Sequence, residues 1–297
     1  MNEIFKRKVS FSQYANWFKC PHRWYLDSVK KLKIFDESVH TCFGTAIHET
    51  IQLYIETLYK QDATAANEIN LFEHFKTTFD REMEKVKEKL TVTADDREEF
   101  IEDGNSILKS FSNVTNRIKH FPSNKYEFIS VEDEIITPIK NNVDFMCLID
   151  LVLKEKSTRR YRIIDIKTST RGWNEYQRED PAKFSQVLLY KAFFSQKYNV
   201  PLNMIDVEFF ILKRKLWENS SYPQSRIQMF TPTHNEKTVK GVLKTFSQFI
   251  SECFKPDGTF IEDLKSYPKI PGKNKKNCKY CPHKKINCDT KADITDD

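Results

Sequence analysis

Glycine is scarce in this chain, with only six among 297 residues. The common nucleotide-binding motifs use glycine-rich loops around phosphates, and no such motif occurs, which argues against a site of that kind. No run approaches the ~18 apolar residues of a membrane helix. The first residues are basic but lack the apolar stretch of a signal peptide. We therefore expect a cytoplasmic protein, and its richness in Lys, Asn, Ile and Phe suggests an AT-rich bacterial or phage genome.

The composition otherwise describes a soluble globular protein, with 30% charged and 39% hydrophobic residues. The net charge is +6 and the isoelectric point is about 8.7. This mild basicity permits nucleic-acid binding without requiring it. Seven cysteines, an odd number, do not suit a framework built only of disulfides. Three of them lie among apolar neighbours and are expected to act as small core residues: Cys42, Cys147 and Cys253.

Two neighbouring apolar runs carry charged side chains. Residues 145–153 and 161–167 are rich in β-branched and aromatic residues, which predicts buried strands. The polar link between them suits a hairpin, and a turn at its middle places Asp150 opposite Asp165. Side chains alternate along a strand, so Lys167 lies on the same face as Asp165. The pattern predicts two carboxylates and an ammonium group together on apolar strands.

Charges buried in this way must be paired or must bind a metal. One interpretation is an ion pair of Asp165 with Lys167, which leaves Asp150 as a spare carboxylate. It explains that second carboxylate poorly, because like charges repel unless a cation lies between them. Two carboxylates and water suit Mg²⁺ or Mn²⁺. The hairpin is therefore a candidate site for a divalent cation.

Two helices could add side chains to this site. His48 lies beside a stripe of apolar residues at helical spacing, one turn after Gly44, whose missing side chain would let a metal or phosphate approach. Taken alone, such a histidine is more often a hydrogen-bonded core residue. A later helix, capped by Asp180, carries Gln186 and Tyr190 one turn apart. These two are either satisfied in the core or part of a site.

The remaining elements complete a mixed α/β order, with a central sheet flanked by helices. Residues 62–121 show helical periodicity with dense charge, which predicts a solvated helical insertion. Glu132 and Glu134 alternate with apolar residues, which favours an exposed strand face, although one of them could instead point toward the acidic cluster. Thr233 and Glu236 have the spacing of a capping box that opens the last helix.

The C-terminal segment, residues 270–290, has the spacing of a metal-ligand loop at Cys278, Cys281 and Cys288. Three thiolates need a fourth ligand, and Cys20 is the best candidate. Four thiolates suit either Zn²⁺ or an iron–sulfur cluster. For zinc, a histidine could replace a thiolate, and the candidates are His22 and His283.

Together these features resemble the RecB-type branch of the PD-(D/E)XK nuclease superfamily. They are similar in particular to its iron–sulfur members among CRISPR-adaptation nucleases, AddB nuclease domains and phage and eukaryotic single-strand exonucleases. The matching positions span nearly the whole chain: residues 10–12, Cys20, residues 44–48, Asp150, residues 165–167, Gln186, Tyr190, Cys278, Cys281 and Cys288. One departure is Cys147, where the family usually has glycine.

The resemblance implies a single restriction-endonuclease-like domain over residues 1–297. It implies that one or two Mg²⁺ or Mn²⁺ ions bind to His48, Asp150, Asp165 and the carbonyl of Ile166. Lys167 would position or help to deprotonate the attacking water.

The resemblance also implies supporting parts around that centre. Gln186 and Tyr190 would flank the site and support it or contact DNA. The four cysteines near the ends of the chain, Cys20, Cys278, Cys281 and Cys288, would bind a [4Fe–4S] cluster, with zinc as the alternative. Trp173 and Arg178 would provide stacking and a phosphate contact for a single strand.

The expected function is a metal-dependent DNA exonuclease that acts on single-stranded or free-ended DNA in replication, recombination or repair. Protein partners are possible. Two alternatives stay open. One is a structure-specific endonuclease. The other is a non-catalytic DNA-binding or scaffolding module of a recombination or helicase complex.

Overall fold

A six-stranded mixed sheet lies at the centre of the computed structural model, which describes residues 6–288 except 33, 35–37 and 285. Its strands in chain order are β1 (Arg7–Val9), β2 (Tyr126–Lys140), β3 (Val143–Glu155), β4 (Tyr161–Ser169), β5 (Ile205–Lys213) and β6 (Ile227–Phe230). The strand order is β1-β3-β4-β5-β6, and β2 pairs with β3 outside this path. The β1–β3 and β4–β5 pairs are parallel and the others antiparallel.

Helices flank this sheet. They are α1 (Phe11–Lys19), α2 (Pro21–Trp24, continued by a π-helical turn, Tyr25–Val29), α3 (Val39–Lys60), α4 (Ala63–Glu68), α5 (Leu71–Val86), α6 (Ala94–Phe111), α7 (Val114–His120), α8 (Glu175–Arg178), α9 (Pro181–Tyr198) and α10 (Glu236–Cys253). No helix in the described residues has the length and apolar character needed to cross a membrane.

Two apolar cores lie on the two faces of the sheet. One packs α1, α9 and α10 against the sheet and includes Phe145 and Ile163, and the other packs α3, α5 and α6 and includes Ile164 and Ile166. The alternation follows from the pleat of β4, which sends neighbouring side chains to opposite faces. Asp165 therefore points toward α9. The mixed α/β architecture predicted from the sequence is confirmed.

Several local predictions need correction. The charged helices of residues 62–121 are not a solvated insertion, because Phe75, Phe79 and Phe111 are buried in the second core. The many charged residues on the outer faces of these helices made their apolar faces difficult to recognise in the sequence. The last helix begins at Glu236 after the cap Asn235, so the predicted capping box is wrong. The short strands β1 and β6 were not predicted from the sequence.

Candidate active site

The strand β3 has an opening along one edge. β2 pairs with one edge over the whole length of β3, so β1 and β4 share the other. There β1 pairs with residues 143–145 and β4 with residues 151–154. Residues 146–150 consequently have no strand partner on that side in the described structure. Asp150 lies at the end of this opening, where polar groups can be placed without breaking a strand ladder.

The pairing of β3 with β4 has the register that the predicted turn requires, since Leu151 pairs with Ile164. One step further would place Asp150 opposite Asp165, but the ladder ends first. The Asp150 Oδ2 atom instead accepts a hydrogen bond of 2.7 Å from the backbone N–H of Ile166. Asp150 is thereby fixed beside the strand that carries the other two charged residues.

Asp165 is fully buried, and its Oδ2 atom lies 2.7 Å from Nζ of Lys167. The ion pair that the sequence left open is thus present. Even so, neither carboxylate oxygen of Asp165 has a hydrogen-bond partner of good geometry among the described residues. A buried carboxylate in this state has lost its solvation without full replacement. A bound cation would replace the lost solvation of the Asp165 carboxylate.

The pKa values of the three charged groups are shifted from their ordinary values. Burial raises the pKa of both Asp150 and Asp165 to about 6, against the opposing effect of the Lys167 ammonium. Burial by itself would lower the pKa of Lys167, but the two carboxylates hold it above its ordinary value. Lys167 is therefore charged at neutral pH, which suits a proton donor or electrostatic stabiliser and not a general base.

Helix α3 brings two polar side chains to Asp150. His48 Nδ1 lies 3.6 Å from Asp150 Oδ2, and burial lowers the pKa of His48 to about 4, so that its imidazole is neutral, the form that binds metals. Gln52 donates from Nε2 to the Asp150 carbonyl oxygen at 3.1 Å and to Glu132 Oε1 at 2.5 Å. The sequence analysis missed Gln52, although its four-residue spacing from His48 places both on one helix face.

Glu132 fits both interpretations that the sequence left open, an exposed strand face and a position next to the acidic cluster. Its neighbours Val131 and Asp133 pair with Leu151 and Ile149, so Glu132 lies across from Asp150. Its backbone φ of 49° is in the left-handed region, which is costly for a residue other than glycine. The side chain is exposed at the surface, as predicted, but it is also bonded to Gln52 next to the candidate site.

Gln186 and Tyr190 are joined to each other on α9. Gln186 Nε2 donates a hydrogen bond of 2.7 Å to the Tyr190 hydroxyl, and Tyr190 is buried. Burial, reinforced by the Asp165 carboxylate, raises the pKa of Tyr190 well above its ordinary value. The phenol therefore stays protonated beside the carboxylates.

Of the two residues expected to contact DNA, Trp173 lines a groove with residues 168–170, which follow Lys167, and Arg178 lies elsewhere. Trp173 is only 8% exposed, and its ring packs 4.7 Å from the Phe209 ring and 4.7 Å from Lys183 Nζ. The ring is thus largely covered, which leaves little of it for a base to stack on. Arg178 is exposed but lines a different pocket, beside Glu175.

The four cysteines assigned to a cluster line one pocket: Cys20, Cys278, Cys281 and Cys288. The C-terminal segment bonds to the end of α1 and the residue after it: the Ile270 N–H donates to Cys20 Sγ at 3.5 Å, and the Asn277 amide donates to the Lys19 carbonyl oxygen at 2.8 Å. The three remaining cysteines are buried, as predicted for core residues.

His283, which the sequence offered as a possible zinc ligand, instead lies buried against Asp27. Its side chain is fully buried, with Nε2 2.8 Å from Asp27 Oδ1 and Nδ1 3.1 Å from the Asn287 amide. Both ring nitrogens therefore have partners, so His283 is not free to act as a metal ligand. It anchors the cysteine segment to the π-helical turn after α2.

The two candidate metal centres differ in the donors that they offer. Among the described residues, no group of three or more His, Cys, Asp or Glu side chains surrounds a point where a metal ion could bind. The donor types nevertheless fit. Oxygen and imidazole donors lie around the unsatisfied Asp165 carboxylate, which suits Mg²⁺ or Mn²⁺. Thiol donors line the other pocket, which suits a soft metal or an iron–sulfur cluster.

Comparison with known proteins identifies the family of the chain. The family model of the PD-(D/E)XK nuclease superfamily matches residues 8–288. No curated protein matches the chain. Among solved structures, the chain is similar to a crystal structure of a "putative exonuclease" from Eubacterium rectale, with 8% sequence identity, 82% of this chain and 80% of that chain covered, and a TM-score of 0.48. Because the family match covers nearly the whole chain, this protein belongs to the PD-(D/E)XK nuclease superfamily and is a nuclease.

Proposed function

We propose that the protein is a metal-dependent DNA exonuclease that acts on single-stranded or free-ended DNA. The observation that carries the proposal is the fully buried Asp165 carboxylate, whose only close polar partner among the described residues is the Lys167 ammonium at 2.7 Å from Oδ2, while Asp150 lies close enough to raise its pKa. A purely structural ion pair has no use for a second carboxylate, whereas a cation site needs both.

The residues that would hold Mg²⁺ or Mn²⁺ are Asp150, Asp165, His48 and the carbonyl of Ile166. When bound, such a cation supplies Lewis-acid assistance at the phosphate and makes water more acidic. Asp150 is held for this task by the Ile166 N–H, and His48 is neutral and 3.6 Å away. The negative charges of Asp150 and Asp165 would repel a phosphate of the substrate until a cation offsets them.

Lys167 has the charge and position to stabilise the negative charge that develops on a phosphate during attack. The ammonium can also orient the attacking water by hydrogen bonding. Gln186 and Tyr190 would support this arrangement from α9, since the protonated phenol offers a donor next to the carboxylates.

We further propose that the chain is of the RecB type and that Cys20, Cys278, Cys281 and Cys288 bind a [4Fe–4S] cluster. Their shared pocket and the hydrogen bonds between the two ends of the chain support this assignment. The cluster would stabilise the contact between α1 and the C-terminal segment.

The activity is tested with linear single-stranded DNA labelled at either end, in parallel with a circular single strand, in the presence of Mg²⁺ or Mn²⁺. We expect the linear strands to be degraded from an end, the circle to resist, and Asp165→Asn to lose about a thousandfold or more in rate. Rapid cleavage of the circle, which has no ends, would show that the protein is an endonuclease and not an exonuclease. No cleavage by the wild-type protein, with Asp165→Asn identical to it, would refute the proposal.

A further inference from the structure

A groove leads away from the candidate active site. Its lining includes residues 168–170, which follow Lys167 directly, together with Lys183 and Arg214. Three strand positions span about 10 Å. The groove therefore begins next to the proposed catalytic residues and continues past the end of β4.

Positive charge around this groove is only partly neutralised. Arg214 and Lys215 form ion pairs with Asp103. By contrast, Lys183 in the groove lining has no carboxylate within ion-pair distance among the described residues. The same holds for Arg171, which directly follows the lining residues 168–170, and for Lys213, whose side chain lies against Gly172 beside the groove. Three cations without a carboxylate partner, one in the groove and two beside it, are suited to a polyanion.

An exposed aromatic ring lies at the end of this series of cations. Trp217 is 61% exposed, and the Arg171 guanidinium lies 4.3 Å from the centre of its ring. The Gln224 side chain fixes the Trp217 backbone through two hydrogen bonds, accepting from its N–H at 2.9 Å and donating to its carbonyl oxygen at 2.7 Å. The indole is therefore presented to solvent from a braced loop.

The loop that carries Trp217 is attached to the groove. It connects β5 to β6, and its first residues bond to the groove wall, from the Arg214 N–H to the Ser169 carbonyl oxygen at 2.8 Å and from the Lys215 N–H to the Thr170 carbonyl oxygen at 2.7 Å. Cations and indole thus form one surface, which we call the Trp217 surface: residues 168–170, Arg171, Lys183, Lys213 and Trp217.

We propose that the Trp217 surface binds a DNA single strand, with a base stacked on the free face of Trp217 and phosphates along the unpaired cations. Stacking on an aromatic ring combined with a basic groove is how proteins hold single strands without reading their sequence. In a duplex the bases are already stacked and paired, so this surface selects single-stranded substrate. The inference rests on the proposed function for its substrate class, but it concerns binding and not cleavage.

Intrinsic fluorescence tests this proposal directly. Trp17 and Trp24 are at most 5% exposed, whereas Trp173 is 8% exposed and lines the groove, so the quenching by a bound oligothymidylate in EDTA that disappears in Trp217→Phe reports on Trp217. We expect quenching in the wild type and an affinity about tenfold or more lower in Trp217→Ala. Trp217→Phe should keep the affinity and lose the signal.

A salt titration and a matched control complete the test. Arg171→Gln should reduce the slope of log affinity against log salt by ~0.7, the value for one phosphate contact on a single strand. The control is Tyr280→Ala, an 83% exposed ring with Lys279 Nζ 5.2 Å from its centre, which should bind like wild type. Melting curves establish that each variant is folded.

Unchanged affinity in both Trp217→Ala and Arg171→Gln would overturn the proposal, as would an equal loss in Tyr280→Ala or equal affinity for a duplex. Failure of this binding proposal can be distinguished from failure of the proposed nuclease function. A protein that binds through Trp217 and does not cleave refutes the proposed function alone, whereas one that cleaves and binds without Trp217 refutes the surface alone.

Discussion

Gln52 and Glu132, 80 residues apart in the chain, are joined by a hydrogen bond of 2.5 Å between Nε2 and Oε1. The same Gln52 nitrogen lies 3.1 Å from the carbonyl oxygen of Asp150. Helix α3, which also carries His48, is in this way tied to β2 and β3 at the candidate cation site. Glu132 holds its unfavourable φ of 49° at this contact. Partners that orient metal ligands commonly affect metal affinity as strongly as some ligands do.

We expect Gln52→Leu to weaken Mn²⁺ binding by about tenfold or more, because it removes the link between the helix of His48 and the strand of Asp150. Calorimetry or electron paramagnetic resonance with Mn²⁺ alone measures this. Gln248→Leu is the matched control, since Gln248 also donates to a carboxylate, at 2.7 Å from Glu252 on α10. Equal Mn²⁺ affinity in all three proteins would contradict the expectation.

Asp150→Asn should preserve the stability of the metal-free protein and abolish its stabilisation by Mn²⁺. Replacing this carboxylate removes its repulsion of Asp165, while the new amide oxygen can still accept the Ile166 N–H. We expect the metal-free variant to be as stable as wild type or more stable by about 1 kcal/mol. Mn²⁺ in large excess should stabilise the wild type by about 2–3 kcal/mol and leave the variant unchanged. Thermal melts with and without Mn²⁺ decide this, and an equal response of both proteins would exclude Asp150 as a ligand.

Acid should destabilise the protein partly through His120. Burial, aided by the nearby cations Lys119 and Arg162, lowers the pKa of His120 to about 4, against about 6.5 in an unfolded chain. The unfolded state therefore binds the proton more readily, and stability falls as the pH drops from about 6.5 to 4. In His120→Gln this loss should be smaller by on the order of 1–2 kcal/mol. Urea unfolding across this pH range measures it, and parallel pH profiles would rule out the contribution of His120.

Cys281→Ser should remove the proposed cluster. Protein purified without oxygen should contain iron and sulfide and absorb broadly in the visible range, and the variant should lose both properties and melt at a lower temperature. Cys42→Ala serves as the control, because Cys42 is buried in the second core and should not affect iron content. A colourless wild-type protein with one zinc ion would replace the cluster with a zinc site.

The hairpin of Asp150, Asp165 and Lys167 was predictable because its determinants are local. Strand periodicity and turn length fix which residues face each other, and the register of β3 with β4 agrees with that prediction. Sequence spacing likewise grouped three of the four cysteines and placed Gln186 one turn from Tyr190. Family resemblance then supplied their proposed roles.

Tertiary structure alone decided the contacts between distant segments. The bond of Gln52 to Glu132 and the largely covered ring of Trp173 depend on how helices pack on the sheet, which no local pattern encodes. The exposure of Trp217 is likewise decided by tertiary structure, since an isolated tryptophan in a polar loop is more often buried against the protein than exposed to solvent. The sequence thus determined the charged hairpin, whose geometry follows from the period of a strand. Packing decided what surrounds that hairpin, because close contacts between segments many residues apart exist only once the chain has folded.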